Sequence, residues 1–593
     1  MALDYTSKQG IATSIGHSPI SGLIDPVAGS KNSIAEALSN LVWAPMENGL
    51  TSVSLSANWM WPCKNKGEDA RLYQAVQAVS DFAINLGINV PTGKDSLSMK
   101  QKYPEGDVIA PGTVVISAAG HCLAIDKVIE PLLKSYGGAI YYINLSGDTH
   151  KLGGSSFAQI NNTIGSEAPS VVDDSAFAKA FTTIQQLVNA ELLVAGHDIG
   201  SGGLITTLLE LCFADNGIGA TLDLSTITEA DLIKLLFSEN IGLVFQAKDD
   251  RAELVLKEQG IAYHKIGHTN DEGMLNIKHQ GIELGLNIAS KRDTWYKTSF
   301  LLDQKQTAGD LAKTRFLNYA KQPLDYQFPT NFKGLIPQID SSKPRPKAAI
   351  LREKGSNSER EMAHAMYLAG FDVKDVHMTD LISGRETLED IQFIGAVGGF
   401  SNSDVLGSAK GWAGAIKYNE KANKAIKAFF ERKDTLSVGI CNGCQLFLEL
   451  DLINPEHEQL AKMHYNDSRK HESSFTSVVV QENKSVMLSS LGGTTLGVWI
   501  SHGEGKFNLP MPEDKYDIVA KYGYDGYPAN PNGSDYNTAM ICDTSGRHLA
   551  IMPHIERSIF PWNWAHYPDY RKDTISPWIE AFVNARKWVE QQS

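Results

Sequence analysis

The sequence predicts a multidomain protein of α/β and α+β type, on three observations. The chain has 593 residues, room for about three to five domains at about 100–200 residues each. Its composition, 42% hydrophobic and 21% charged, is that of a globular protein. From residue 346 onward, short apolar runs stopped by Gly or Asn alternate with an amphipathic helical pattern, the signature of α/β units.

Taken in order, "SIAEALSNLVWA" reads as an amphipathic helix and "TSVSLSANWMW" as a strand. "GEDARLYQAVQAVSDFAINLG" reads as a helix ended by Gly, and "GTVVISAAG" as a further strand. A second segment opens near residue 138 with "GAIYYINLSG" and holds the helices "SAFAKAFTTIQQLVNAELL" and "GLITTLLELCFA". The stretch 302–345 is polar, weakly periodic and proline-bearing towards its end, which predicts a linker. After it, "AAILREKGSNSEREMAHAMYLAGFDVKDVHM" reads as strand, turn, helix, strand, and "FIGAVGGF" and "LSVGIC" as buried strands. The expected domains are 1–125, 126–301 and 346–593.

Charge narrows the function. Lys plus Arg is 54 and Asp plus Glu is 68, a net charge of −14. This disfavours sequence-independent nucleic-acid binding and anionic membrane surfaces as partners. No run reaches the ~18–20 apolar residues of a membrane span. The start "MALDYTSKQGIATSIGHSP" has no signal-peptide pattern. The six cysteines, thinly spread, read as reduced thiols, so the expected location is cytoplasmic.

"GICNGCQ" contains a CxxC, Cys441 and Cys444. A structural zinc needs about four ligands, and no second pair stands at that spacing. A redox pair would use Cys444 as the resolving thiol. A third reading ignores Cys444: G-x-C-x-G from Gly439 to Gly443, between a buried strand and a helix, is the nucleophile-elbow pattern with Cys for Ser. The helix N-terminus would lower the thiol pKa and help to place an oxyanion donor. A base and its orienting acceptor are then required. "LAIMPHIERS" offers His554 and Glu556 where an apolar strand ends.

"GICNGCQ", "MPHIERS", "GGFSNSDVLG" and "SHGEGKF" together resemble a class I (triad) glutamine amidotransferase domain, flavodoxin-like in fold. "PTGKDSLSM", "LGGSSFAQ", "GHDIGSGGL" and "YPANPNGS" resemble the large phosphoribosylformylglycinamidine synthase family. That resemblance implies an aminoimidazole-ribonucleotide-synthetase-like half in two subdomains, followed by the glutaminase. It implies Cys441 as nucleophile, His554 as base and acid, Glu556 as orienter, and an oxyanion and glutamine loop at Gly399, Phe400 and Asn442. The substrates it implies are glutamine, ATP and formylglycinamide ribonucleotide, with a glutamine-dependent ligase reaction in purine biosynthesis.

Glu36 and Asn40, four apart, share a helix face, and Asp198 precedes a glycine turn into a helix. Two carboxylates and an amide oxygen suit Mg²⁺, and the turn would let N–H groups approach phosphate. On pattern alone Glu36 and Asn40 read first as a solvated helix face. The resemblance makes them, with Asp198, magnesium ligands beside ATP, or ADP in an auxiliary site. Lys94 and Asp95 read either as a surface turn or as a substrate contact.

The sequence departs from the family at two places. Gly200 and Ser201 stand where the family has Ser-Asp, and Asn402 and Ser403 replace Tyr and Gly. The resemblance matches the C-terminal half of family members. The chain is therefore expected to need the N-terminal synthetase half, in cis or in trans, and its start resembles the middle of a family member. Narrower readings are a glutaminase-only subunit or fragment and a non-catalytic, nucleotide-holding scaffold.

Overall fold

The computed structural model describes every residue except 5–6, 215–216, 322–323, 341 and 593. The chain forms two compact units, Met1–Trp295 and Tyr296–Ser593. Among the described residues no helix is long and apolar enough to cross a membrane.

In the first unit, the helix Pro26–Leu41 starts about two turns before the apolar pattern at Ser33 does. Asp25 caps it, its carboxylate accepting the Val27 and Ala28 amides, with Pro26 in the first turn. The helix lies against the strand Gly10–His17, where a Cβ at Gly16 would sit 2.0 Å from the Ser33 carbonyl oxygen. That strand, Thr113–Cys122, Val53–Met60 and Asn89–Ser96 form a four-stranded sheet in this order. The last pair is parallel and the others antiparallel. Helix Glu68–Leu86 ends at Gly87 with φ +69°, the left-handed cap its sequence predicts.

The second half of this unit is a seven-stranded mixed sheet with Ile140–Asn144 near its centre and Leu193–Asp198 at one edge. The core does not stop at residue 125. Phe82 meets Phe177 edge-on at 5.7 Å, and Ile34, Leu38, Phe82, Phe177 and Phe181 share one buried cluster. The two sequence segments thus share one buried cluster, and the second segment holds a further cluster of its own that includes Leu208, Leu222 and Val244.

The second unit is built on a nine-stranded sheet. Its first four strands in space are Asp372–His377, Lys347–Arg352, Phe393–Ala396 and Leu436–Ile440, all parallel. In chain order this is 2-1-3-4, so the winding reverses between Lys347–Arg352 and Phe393–Ala396. Open sheets of this kind bind ligands at such a reversal, beyond the C-terminal strand ends. His548–Ile551 extends the parallel part, and four antiparallel strands complete the sheet. Parts of 302–345 are packed rather than extended. Leu311–Asn318 is helical, Gln327 exchanges backbone hydrogen bonds with Thr495 at 2.9 and 3.0 Å, and Phe328 stacks on Trp564.

Candidate active site

The strand Leu436–Ile440 delivers Cys441 to the sheet's C-terminal edge, and the helix Asn442–Glu449 starts immediately after it. Cys441 has φ +54° and ψ −105°, a conformation that costs about 1–3 kcal/mol and is held only where neighbours enforce it. Here they do. The Cys441 amide donates to the Ile551 carbonyl at 2.8 Å. A Cβ at Gly439 would lie 2.4 Å from the Gly443 carbonyl oxygen, and one at Gly443 2.1 Å from that of Ala396. Both glycines of G-x-C-x-G are therefore required by close backbone approach.

The loop after His548–Ile551 brings His554 to Cys441. Its backbone amide donates to the Trp499 carbonyl at 2.8 Å. His554 and Cys441 meet over Gly398, where a Cβ would lie 2.9 Å from His554 Cε1 and 3.4 Å from Cys441 Cβ. The thiol donates to the Ser501 carbonyl at 3.5 Å. His554 Nδ1 is 2.6 Å from Glu556 Oε1. Burial would lower the His554 pKa, but the Glu556 carboxylate and the Cys441 thiol outweigh it and push it up to about 10. Burial also works against the Glu556 carboxylate, and the His554 charge holds it below its ordinary range.

Cys444 is fully buried one turn beyond Cys441, and burial drives its thiol well above the ordinary value. It has no exposed face from which to act as a reactive partner.

Gly399 lies in the loop after Phe393–Ala396, at φ +109°, with Ser356 and Asn357 so close that a Cβ would clash at 2.6–2.7 Å. The flanking bonds, Asn357 N–H to Gly398 and Phe400 N–H to Gly355, are both 2.9 Å. This leaves Gly399 itself in the non-bonded position of the Ser356–Gly399 bridge. Its N–H and that of Asn442, at the first turn of its helix, are the donors suited to an oxyanion. Phe400 differs: its amide is already committed to Gly355, and its ring meets that of His471 at a tilt, 5.8 Å between centroids, at the rim. Cys441, His554 and Gly399 line a pocket of about 350 Å³ counting its open mouth. Gln445, Asn357 and Arg557 also line it and escaped the sequence reading. Gln445 had a signal, standing one helical turn after Cys441. Asn357 and Arg557 meet only in the fold, at 2.6 Å.

In the first unit, Asn40 Nδ2 donates to Asp198 Oδ1 at 3.2 Å. Glu36 is raised above its ordinary pKa, first by burial and then by the Asp198 and Glu239 carboxylates, against the lowering pull of His17. Glu36 and Gly200 line one pocket with Glu239. A Cβ at Gly200 would meet nothing within 4 Å, so the missing hydroxyl there is a chemical change, not a steric one. The glycine turn is less open to phosphate than its sequence implies. The Gly202 amide donates to Glu239 at 2.7 Å and the Gly203 amide to Gly200 at 3.1 Å. Lys94 and Asp95 lie in the exposed strand Asn89–Ser96, not in a turn, because Val53–Met60 pairs with them. Lys94 Nζ donates to Ser96 Oγ at 2.6 Å, and neither residue lines the Glu36 pocket.

Three family models match the chain: an FGAR-AT PurM_N-like domain over residues 1–121, the C-terminal domain of AIR synthase related proteins over 137–280, and a CobB/CobQ-like glutamine amidotransferase domain over 345–589. The doubly wound sheet and the last match make the C-terminal unit a glutamine amidotransferase domain. The chain is 38% identical over 624 aligned residues to a probable phosphoribosylformylglycinamidine synthase, chloroplastic/mitochondrial, of Arabidopsis thaliana, covering 100% of this chain and 44% of the relative. It is 38% identical over 632 residues to the phosphoribosylformylglycinamidine synthase of Homo sapiens, covering 100% and 47%. The chain belongs to the phosphoribosylformylglycinamidine synthase family, and spans a little under half the length of these curated relatives. Among solved structures, Thermotoga maritima PurL complexed with FGAR is similar at 16% identity, over 49% of this chain and 46% of that one, with a TM-score of 0.39.

Proposed function

We propose that this chain supplies the glutaminase and one half of the synthetase core for the glutamine- and ATP-dependent conversion of formylglycinamide ribonucleotide to formylglycinamidine ribonucleotide in purine biosynthesis. The observation that carries the reading is Cys441 on its left-handed turn with His554 and Glu556 behind it. The remaining synthetase half joins in cis or in trans. A reducing compartment such as the cytosol suits six free cysteines.

In the glutaminase reaction, His554 as base already holds the proton that Cys441 gives up, as its raised pKa favours, and Cys441 Sγ attacks the γ-amide carbon of glutamine. The oxyanion meets the N–H groups of Gly399 and Asn442. His554 returns the proton to the amide nitrogen, ammonia leaves, and water hydrolyses the thioester to glutamate with His554 again as base. Glu556 keeps the imidazole in the tautomer and orientation this requires. ATP phosphorylates the glycinamide carbonyl oxygen, ammonia adds to that carbon, and the oxygen departs in the phosphate, leaving the amidine.

For Mg²⁺, the donors are Glu36, Asp198 and the Asn40 amide. Among the described residues no three or more His, Cys, Asp or Glu side chains cluster as a metal cage. Two carboxylates with one amide fit the sparing protein ligation of Mg²⁺, which leaves positions for nucleotide phosphates. Bound there, the ion would neutralise phosphate charge.

The test is reconstitution with the other synthetase half, ATP and formylglycinamide ribonucleotide. Amidine should form with glutamine, stop in Cys441→Ala, and return when an ammonium salt replaces glutamine. Glutamine-driven turnover by Cys441→Ala, or no turnover with ammonium, would overturn the reading.

A further inference from the structure

The loop from Ser401 to Asp404 carries an acid that the proposed glutaminase steps do not use. Asn402, Ser403 and Asp404 have φ +54°, +57° and +50°, three consecutive left-handed residues. Such strain is held only where the surroundings enforce it and gathers at ligand sites. It turns the Asp404 carboxyl into the Cys441 pocket, whose wall Asp404 shares with Gly399 and His554. Oδ2 accepts from Ser408 Oγ at 3.0 Å, whereas Oδ1 is buried with no hydrogen-bond partner. Among the described residues no Lys, Arg or His nitrogen pairs with Asp404 or Glu504, whereas the pocket's guanidinium, Arg557, already faces Glu361 and Glu556 and donates to Asn357. Burial raises the Asp404 carboxyl, the Ser408 hydroxyl pulls it back, nearby Glu504 pushes it up again, and the Ala409 backbone N–H pulls more weakly the other way, so every donor around it is neutral. A buried acceptor without a donor is costly, and two carboxylates without a cation call for one.

We infer that Asp404, with Glu504 behind it, receives the α-ammonium group of free glutamine, so that the pocket selects the free amino acid over glutamine acylated at its α-nitrogen. The inference rests on the glutaminase reading. It deepens that reading by naming what distinguishes free glutamine from a glutaminyl side chain in a peptide. Asp404 acts in binding, not in proton transfer, so its effect belongs in KM.

The experiment compares hydrolysis of glutamine and Nα-acetylglutamine by the full chain and by Asp404→Asn, which keeps a partner for Ser408 but loses the charge. The rate of Cys441 alkylation by iodoacetamide reports whether the pocket is intact. The wild type should favour free glutamine by at least about 10-fold. The variant should raise KM for glutamine about 10- to 100-fold, the range of a charge-assisted hydrogen bond, with kcat and alkylation little changed and the selectivity reduced by the same factor. Equal use of both compounds by the wild type would overturn the inference without any variant. So would an intact variant with unchanged KM or unchanged selectivity. A wild type that releases no glutamate from glutamine would instead refute the glutaminase reading itself, and this inference with it.

Discussion

His554 Nδ1 and Glu556 Oε1 stand 2.6 Å apart, with both residues buried. They are two positions apart on a tight turn that starts where the strand His548–Ile551 ends. The carboxylate has one strong partner, since its Oε2 is buried without another. Its charge is thus concentrated on the imidazole.

Removing that charge while keeping the shape should disable the base. Glu556→Gln is expected to lower kcat for glutamine hydrolysis by about a hundred- to ten-thousand-fold, with a smaller change in KM. Steady-state kinetics of glutamate release check this.

The same pair makes stability depend on pH. Folded His554 titrates at about 10, whereas an unfolded histidine titrates at about 6.5. A raised folded pKa contributes stability that is complete below about pH 6.5 and is lost as pH rises through about 10. Urea midpoints should fall across that window in the wild type and fall less in Glu556→Gln. Parallel curves would contradict the coupling.

Two glycine substitutions should part company. Gly443→Ala places a Cβ 2.1 Å from the Ala396 carbonyl oxygen, and is expected to cost about 1–3 kcal/mol or more, with loss of the elbow. Gly200→Ser enters open space and should change stability by no more than about 0.5 kcal/mol. Denaturant unfolding of both variants tests the contrast.

At the proposed magnesium site, ADP with Mg²⁺ should protect residues 30–45 and 195–205 from hydrogen exchange, and Asp198→Asn should abolish that protection. Protection that persists without Mg²⁺ would remove the metal from the account.

Where periodicity and punctuation agree, the fold is legible in the sequence. Helix Glu68–Leu86 with its Gly87 cap and strand Leu436–Ile440 with its G-x-C-x-G turn are such cases. The start of Pro26–Leu41 is not, because capping by Asp25 extends the helix beyond its apolar stripe. For Lys94 and Asp95 a surface turn is one of two readings, beside a substrate contact; Gly93 and Ser96 favour a turn, and pairing with Val53–Met60 overrides that preference. In the site, Cys441, His554 and Glu556 announce themselves through local pattern. Asp404 and Arg557 do not, since their meaning depends on which charges around them are already paired. Glu239 was hidden for a similar reason: its carboxylate joins the Ser156 and Gly202 amides across more than thirty residues of chain.

The most direct test of the central claim is glutamine hydrolysis by two single variants, with folding checked by circular dichroism. Cys441→Ala should abolish glutamate release, while Cys444→Ala, a small cavity behind the helix, should retain most of it. Comparable losses in both folded variants, or activity surviving in Cys441→Ala, would contradict a single nucleophile at the end of Leu436–Ile440.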